Sequence, residues 1–571
     1  MAPFDNVHPP GAHTHGAHPH GTPAAGGNLP RTLPPARGPA PSPDDSRAAP
    51  SSTPAADTVS FKTWLAVLGS VLGAFMAVLN IQIVNASLAD IQGGIGAGVD
   101  DGGWIATAYL IGEIIVIPLS GFLSQVFSVR RYLITNTVLF LVFSVACAFA
   151  QNLQQMIVLR AIQGFCGGVL IPMAFTLIIT LLPKSRHPLG LALFALTATF
   201  APAIGPTIGG YLTETYGWKY IFYINLVPGV FMVAALWASL ERAPLRLGLL
   251  RQGDWWGIAT MAMGLACLQT VLEEGNKDDW FGSAYIVRLA VIAAVALGAF
   301  LVIELKVDKP LLNLRLLARR NFGLGIVANA LLGVVLYASS YLLPRYLGEI
   351  QGYNAQQIGS VMAWVGLPQL VLIPLVPMLM NRFDARWLAL VGAAIFAGSN
   401  FMNIHLWLGS AADQLFWPNI VRAFGQALVM TPLSVVATSG IEKENAGSAS
   451  GLFNMMRNLG GAVGIALTQT WLTKREQFHS NVMTGQVSLF GESTRQHLAT
   501  LQRKFMEHGV PDALTAWRQA VAEVDAGIRA QAWLMAYSDA FFFLGSAMAL
   551  SAVAILFLKK AAAGADAGGA H

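Results

Sequence analysis

Ala201-Pro202-Ala203-Ile204-Gly205-Pro206-Thr207-Ile208-Gly209-Gly210 sits inside an apolar run that extends from about 188 to 213. A helix needs roughly 20 apolar residues to cross about 30 Å of hydrocarbon, and this run is long enough. Its two prolines each remove a helix hydrogen bond, while glycines four residues apart let a neighbouring helix approach to backbone contact. The stretch therefore predicts a kinked transmembrane helix with a tight packing seam.

The same kind of run recurs along the chain. Fourteen spans lie near 62–87, 103–124, 130–150, 154–182, 188–213, 219–240, 254–273, 284–305, 321–345, 356–380, 386–408, 415–440, 447–473 and 533–558. The runs are continuous rather than alternating, which selects helices over a barrel wall. Composition agrees: 54% of the 571 residues are hydrophobic, only 11% are charged, and mean hydropathy is +0.55. A soluble domain carries about 25% charged residues. An all-α, polytopic membrane protein is expected.

Charge in the connections sets the orientation, because cytoplasmic loops collect Lys and Arg. With the amino terminus inside, the inner connections hold Arg130, Arg131, Lys184, Arg186, Arg242, Arg246 and Arg251. Further along they hold Lys306, Lys309, Arg315, Arg319, Arg320, Arg382, Arg386 and Lys443. The short outer connections hold Lys219, Lys277 and Arg345, and both termini come out cytoplasmic. The net charge of +5 thus reads as topology, with no suggestion of nucleic acid.

Two segments stand apart from the spans. Residues 1–60 are rich in Pro, Gly, Ala and His and lack an apolar run, so disorder is expected there. Their His8, His13, His15, His18 and His20 can hold Ni²⁺, Cu²⁺ or Zn²⁺ weakly, although a plain flexible tail is the simpler reading. No cleavable signal peptide precedes the first span. The connection from Lys474 to Ala532 is long and outer, and within it Leu514, Trp517, Val521, Val524 and Ile528 recur at helical spacing. That amphipathic helix can lie on the membrane, dock a partner, or pack over the outer mouth.

An internal repeat divides the membrane part. The connection after span 2 contains Gly121, Gln125, Arg130 and Arg131; that after span 10 contains Pro377, Asn381, Arg382, Asp384 and Arg386. Arg160-Ala161-Ile162-Gln163-Gly164 in span 4 is echoed by Arg422-Ala423-Phe424-Gly425 in span 12. Span 13 carries Arg457-Asn458-Leu459-Gly460-Gly461-Ala462-Val463-Gly464, the counterpart of the stretch in span 5. Spans 1–6 therefore match spans 9–14 and spans 7 and 8 are left over. The implied division is 61–241, 242–306 and 307–571, the last including the outer connection 474–532. A duplicated membrane half points to a transporter with its site between the halves. Gly205, Pro206, Gly209 and Gly210 are then expected where the two halves close.

Enzyme chemistry has no foothold here. There is no phosphate-binding loop, no HExxH and no paired-Cys spacing, so neither a metal nor another cofactor is implied. Cys147, Cys166 and Cys267 lie in apolar spans as packing residues.

Several of these motifs resemble those of a known family. Gly205-Pro206-Thr207-Ile208-Gly209-Gly210 is similar to the antiporter signature of the major facilitator superfamily, and Arg160 to Gly164 to its fourth-helix motif. Trp218 to Gly229 and Ser450 to Arg457 resemble the fourteen-span drug:proton antiporters of the EmrB/QacA type. The resemblance implies a major facilitator fold of two six-helix bundles plus two inserted helices. It also implies proton-coupled export of lipophilic or amphipathic drugs from a bacterial inner membrane. Partners would be the lipophilic substrate, protons, membrane lipid and, in Gram-negative cells, a periplasmic adaptor and an outer-membrane channel. Two departures matter. Gln125 and Val126 stand where the loop motif has an acid and a basic neighbour, leaving Arg130 and Arg131, with Arg382 and Asp384 in the second copy. Asn80 stands where the family commonly has an aspartate, and an amide takes up no proton near neutral pH.

Glu113, midway along span 2, is the nearest substitute. A carboxylate at that depth is costly as an anion and is by default a functional group. Surroundings that alternate between apolar and cationic would let it load and release a proton, and Arg160 is its expected partner; a static Glu–Arg pair is the competing reading. Asp539 enters span 14 and is either a second protonation site or an interfacial cap. Asn80, Gln82, Asn85, Gln163, Gln369, Asn454, Arg457 and Gln469 are the polar groups expected to line an otherwise apolar substrate cavity. Export of one dedicated metabolite, such as a fatty acid or siderophore, substrate:proton symport, and a transport-inactive sensor or scaffold are the alternatives.

Overall fold

The computed structural model describes residues 59–98, 101–307, 310–488 and 491–560, so the histidine tract and the expected disorder of the tail fall outside the described residues. Among the described residues all regular structure is helical. The first half contains α1 (Phe61–Ala86), α2 (Leu88–Ile95), α3 (Gly103–Phe127), α4 (Val129–Cys147), α5 (Leu153–Gly168), α6 (Leu170–Leu181), α7 (His187–Tyr216), α8 (Tyr220–Tyr223) and α9 (Leu226–Ser239). The inserted pair is α10 (Trp255–Glu274) and α11 (Ala284–Lys306). The second half contains α12 (Arg320–Glu349), α13 (Ala355–Met380), α14 (Ala385–Phe401), α15 (Ala412–Thr438), α16 (Ala446–Gln486), α17 (Glu492–Glu507) and α18 (Ala513–Leu556).

Twelve of the membrane spans are long and apolar enough to be recognised on those grounds alone. The other two of the expected fourteen are α14, only 17 residues long, and α16, which carries Asn454, Arg457 and Asn458 among its apolar residues. Span 4 is interrupted at Val169 because Pro172 has no N–H to give Gly168. Side-chain caps satisfy the first free N–H groups of several helices. Asn152 accepts from Gln155 N, Asp254 from Gly257 N, and Asn354 and Gln357 form a reciprocal capping box on α13. Gly217 ends α7 at a φ of 93°, a conformation that favours glycine.

The two halves share one packing plan. In the first, α1 packs on α7 and α9, α3 on α5, and α4 on α5 and α9. In the second, α12 packs on α16 and α18, α13 on α15, and α14 on α15 and α18. Between halves α7 lies along α13 and α3 along α16, an exchange expected of a duplicated unit. The inserted helix α10 touches both halves through α3 and α16, whereas α11 leans on α10. Glu304 ties the end of α11 to the link into the second half, accepting from Leu311 N (3.2 Å) and Leu312 N (3.3 Å).

In the connection 474–532, α16 runs unbroken through Gln486 and α18 begins at Ala513, so both helices extend as rods well past their apolar spans, with α17 packed on α18. The apolar stripe from Leu514 to Ile528 belongs to the first turns of α18 and is continuous with the last span. Its packed face there is the smaller one of Ala516 and Ala520, both fully buried, while Leu514 and Trp517 stay exposed.

Candidate functional site: a cavity between the halves

A cavity of about 590 Å³ lies between the two halves. The first half contributes Gln82, Asn85, Thr107, Glu113 and Pro206; the second contributes Tyr337, Tyr341, Arg345, Asn458 and Gln469. Helix α10 adds Gln269, Glu273 and Glu274. Gln82 and Asn85 lie towards the end of α1, Gln269, Glu273 and Glu274 at the end of α10, Tyr341 and Arg345 towards the end of α12 and Thr107 at the beginning of α3, so the cavity faces the connections 87–102, 275–283 and 350–354; Pro206 of α7 and Asn458 and Gln469 of α16 complete the wall. The opposite end is shut by contacts between halves. Gly121 meets the backbone of Gly447, Ser450 Oγ donates to the Pro172 carbonyl at 2.7 Å, and Phe175 stacks on Phe453 at 5.5 Å.

Glu113 stands in the wall of this cavity and is only 4% exposed. Its Oε1 accepts from Asn458 Nδ2 at 2.9 Å, a bond that joins α3 to α16 across the halves. Its Oε2 is buried with no hydrogen-bond partner. Tyr337 Oη in turn donates to Asn458 Oδ1 at 3.2 Å, so a short polar chain runs from α12 through α16 to α3.

Arg160 is not its ion-pair partner, which corrects that expectation. The guanidinium is 1% exposed and donates to Asn80 Oδ1 (2.7 Å), Gln163 Oε1 (2.8 Å) and the Ile105 carbonyl (3.2 Å). It also lies 4.3 Å over the Tyr109 ring. These three acceptors are neutral and all lie in the first half. The amide oxygens must point at the guanidinium, which only donates; the Nδ2 of Asn80 and the Nε2 of Gln163 are left without partners.

Of the eight polar groups expected in the cavity, Gln82, Asn85 and Gln469 line it. Asn80, Gln163, Gln369, Asn454 and Arg457 do not, because each is buried in helix packing. Gln369 Nε2 donates to Gln426 Oε1 at 2.7 Å. Arg457 donates to Asn454 Oδ1 at 3.0 Å and lies 5.5 Å over the Phe194 ring, and Asn454 donates to the Ser450 carbonyl. Asp539 is also outside the cavity. It accepts from Arg475 and, at 2.8 Å, from His479, a cluster that joins α16 to α18.

The seam residues are placed differently from expectation too. A Cβ on Gly205 would strike the Gln82 side chain, and one on Gly209 would meet the Ile83 backbone, so both face α1 within the first half. Gly210 is buried beside them and Pro206 lines the cavity. Gly460 and Gly464 repeat the arrangement against Ala330 and Val334 of α12. Contact between halves along α7 and α13 instead uses Thr207 against Gly359 and Ala203 against Gly366. Among the loop residues, Arg130 lies 4.7 Å over the Trp237 ring, and Arg131 and Arg382 are exposed. Asp384 caps α14 and pairs with Arg386 at 3.1 Å. Burial pushes its carboxyl up, but the hydrogen bonds from Arg386 outweigh this and hold it below the usual carboxylate range.

Sequence reasoning missed Glu273 and Glu274. Two adjacent carboxylates closing an apolar run were the available signal, and treating span 7 as a leftover of the repeat hid it.

Two matching helix bundles around a largely apolar cavity that carries a few polar groups and is shut at one end have the architecture of a secondary transporter. Over residues 70–465 the chain matches the Major Facilitator Superfamily, and it belongs to that family. It is 34% identical over 502 residues to the colistin resistance protein EmrB of Acinetobacter baumannii, covering 87% of this chain and 96% of that one. It is 30% identical over 507 residues to the multidrug export protein EmrB of Escherichia coli, covering 88% and 96% respectively. Among solved structures, the human organic anion transporter MFSD10 aligns with a TM-score of 0.53 at 13% identity, over 86% of this chain and 99% of that one. That last likeness is one of fold. The chain is thus a multi-pass membrane protein of a transporter superfamily.

Proposed function

We propose that the protein exports lipophilic or amphipathic drugs and toxic compounds by alternating access, in exchange for protons. The bodies that rock are residues 61–241 and 307–571, with 242–306 inserted between them. The reading is supported by the cavity between the halves and by relatives whose names describe drug export and drug resistance. In a bacterial inner membrane, as the relatives suggest, the positive-inside rule would have both termini cytoplasmic and the open face of the cavity outside. The shut end is then the cytoplasmic gate, and the conformation faces outward. The rods of α16 and α18 with α17 project on that outer side, where a periplasmic adaptor leading to an outer-membrane channel would sit.

One observation carries the energising step: Glu113 binds Asn458 across the halves with one oxygen and leaves the other buried and unpaired at the cavity wall. Rocking the halves breaks the Asn458 bond and changes the surroundings of the carboxylate, so protonation and closure are coupled. Arg160, held by Asn80 and Gln163, supplies a fixed positive field in the same half.

Proteoliposomes with an imposed pH gradient and ethidium as the transported probe test this. Glu113→Gln is expected to bind and exchange ethidium while losing accumulation driven by the gradient. Normal gradient-driven accumulation in Glu113→Gln would overturn the proton-carrier role.

A further inference from the structure

The cavity wall carries three carboxylates, Glu113, Glu273 and Glu274, and two cations, Lys277 and Arg345. Both cations already have anionic partners. Lys277 pairs with Glu274 at 3.6 Å, and Glu274 also accepts from Thr107 Oγ1 at 3.1 Å. Arg345 pairs with Glu349 at 2.7 Å and also bonds Tyr341. Glu273 differs from its neighbour. It accepts from the neutral amide of Gln269 at 3.0 Å, and no ion pair within 4 Å reaches it among the described residues. The same holds for Glu113, whose Oε2 is buried in that cavity without any partner. Two carboxyl groups in one enclosure, neither in an ion pair and one with a stranded acceptor, are open to a proton or to a positively charged guest.

Aromatic surface lies in the same enclosure. The rings of Tyr337 and Tyr341 form part of the α12 wall, and aromatic faces attract cations as well as apolar groups. Ile81, Leu110, Ile114 and Ile465 supply the apolar lining.

We propose that the inserted helix α10 gives this cavity a cation-selecting subsite, with Glu273 receiving the positively charged head of an amphiphilic substrate whose apolar body lies against the tyrosines. The inserted helices thereby set substrate class as well as filling space beside the bundle. The inference rests on the cavity being the substrate site of the proposed exporter.

Equilibrium dialysis of the full chain in nanodiscs, with tetraphenylphosphonium as the probe, tests it. The parent is expected to bind the phosphonium and to bind tetraphenylborate, its anionic counterpart, more weakly. Glu273→Gln should weaken phosphonium binding by at least about tenfold, as expected for losing one desolvated charge contact. Binding of the neutral lipophile N-phenyl-1-naphthylamine should be unchanged in that variant. Glu273→Asp should keep phosphonium affinity within about threefold of the parent. Glu274→Gln, whose charge is already matched by Lys277, should lose less than Glu273→Gln. Unchanged phosphonium affinity in Glu273→Gln, or tighter binding of the borate by the parent, overturns the proposal. The two readings fail separately. A parent that binds phosphonium through Glu273 yet moves no substrate in proteoliposomes defeats the export reading alone. Normal export, with phosphonium binding indifferent to Glu273→Gln, defeats the subsite alone.

Discussion

Replacing Phe453 by Ala should open the inner gate. Phe453 and Phe175 are fully buried, come from opposite halves, and stack with ring centroids 5.5 Å apart. In a conformation opened at this end the two rings would separate into a water-filled vestibule. The stack is worth about 0.5–1.5 kcal/mol beyond area burial, and burying such a side chain about 1.5–3 kcal/mol. Removing one ring therefore destabilises the gate-closed state by about 2–4.5 kcal/mol relative to the open one, shifting their ratio ~30- to 1,600-fold. Ala449, buried in the same seam, provides a reporter. An Ala449→Cys thiol, in a chain with Cys147, Cys166 and Cys267 replaced, should resist a membrane-impermeant maleimide added to the cytoplasmic face of inverted vesicles. Adding Phe453→Ala should speed that labelling by at least about tenfold, below the full population shift because the parent already opens transiently. An unchanged labelling rate in a variant that still binds ethidium would refute the gate assignment.

Other consequences are open to direct measurement. Asn80→Asp places a carboxylate where the amide oxygen now meets Arg160 at 2.7 Å, and should raise the melting temperature by a few degrees; a fall would mean the buried cation is not short of counter-charge. Gly164→Val should cost the folded state about 1–3 kcal/mol or more, because even a Cβ there would overlap the Tyr109 backbone. Monodisperse protein of parental melting temperature would contradict that packing. The carboxyl of Glu442 is pulled from its ordinary 4.5 to about 2, chiefly by hydrogen bonds from Arg319. With the folded value depressed, its stabilisation is present above pH 4.5 and is lost as pH falls towards 2. Glu442→Gln should accordingly flatten the acid limb of the melting profile in that window, and an unaltered limb would remove Glu442 from it.

Much of the architecture was legible because lipid leaves the backbone few choices. Continuous apolar runs had to be helices, and all fourteen correspond to helices, including the short α14 and the polar α16. Glu113 was legible for a related reason, since a charge in mid-span stands out. Its partner was not. Arg160 is a neighbour in sequence logic, yet its donors go to Asn80, Gln163 and a carbonyl, and Asn458 from the other half takes the carboxylate. Which polar residue faces a cavity depends on helix rotation, and a polar side chain can equally be satisfied inside packing, as Gln369 is by Gln426. The glycine motif reads in the sequence as a close-approach seam, but spacing alone does not say which helix approaches. Here it is α1, within one half.

The unbroken helices α16 and α18 have a mechanical consequence. Gln486 lies 13 residues past the expected end of span 13 at 473, about 20 Å along a helix axis. A rod that is one piece with a rocking bundle acts as a pointer: each degree of tilt in the membrane moves its tip by ~0.3 Å at that height. Anything gripping the tip would sense the pumping stroke, and by reciprocity a load on the tip would push back on the inner gate.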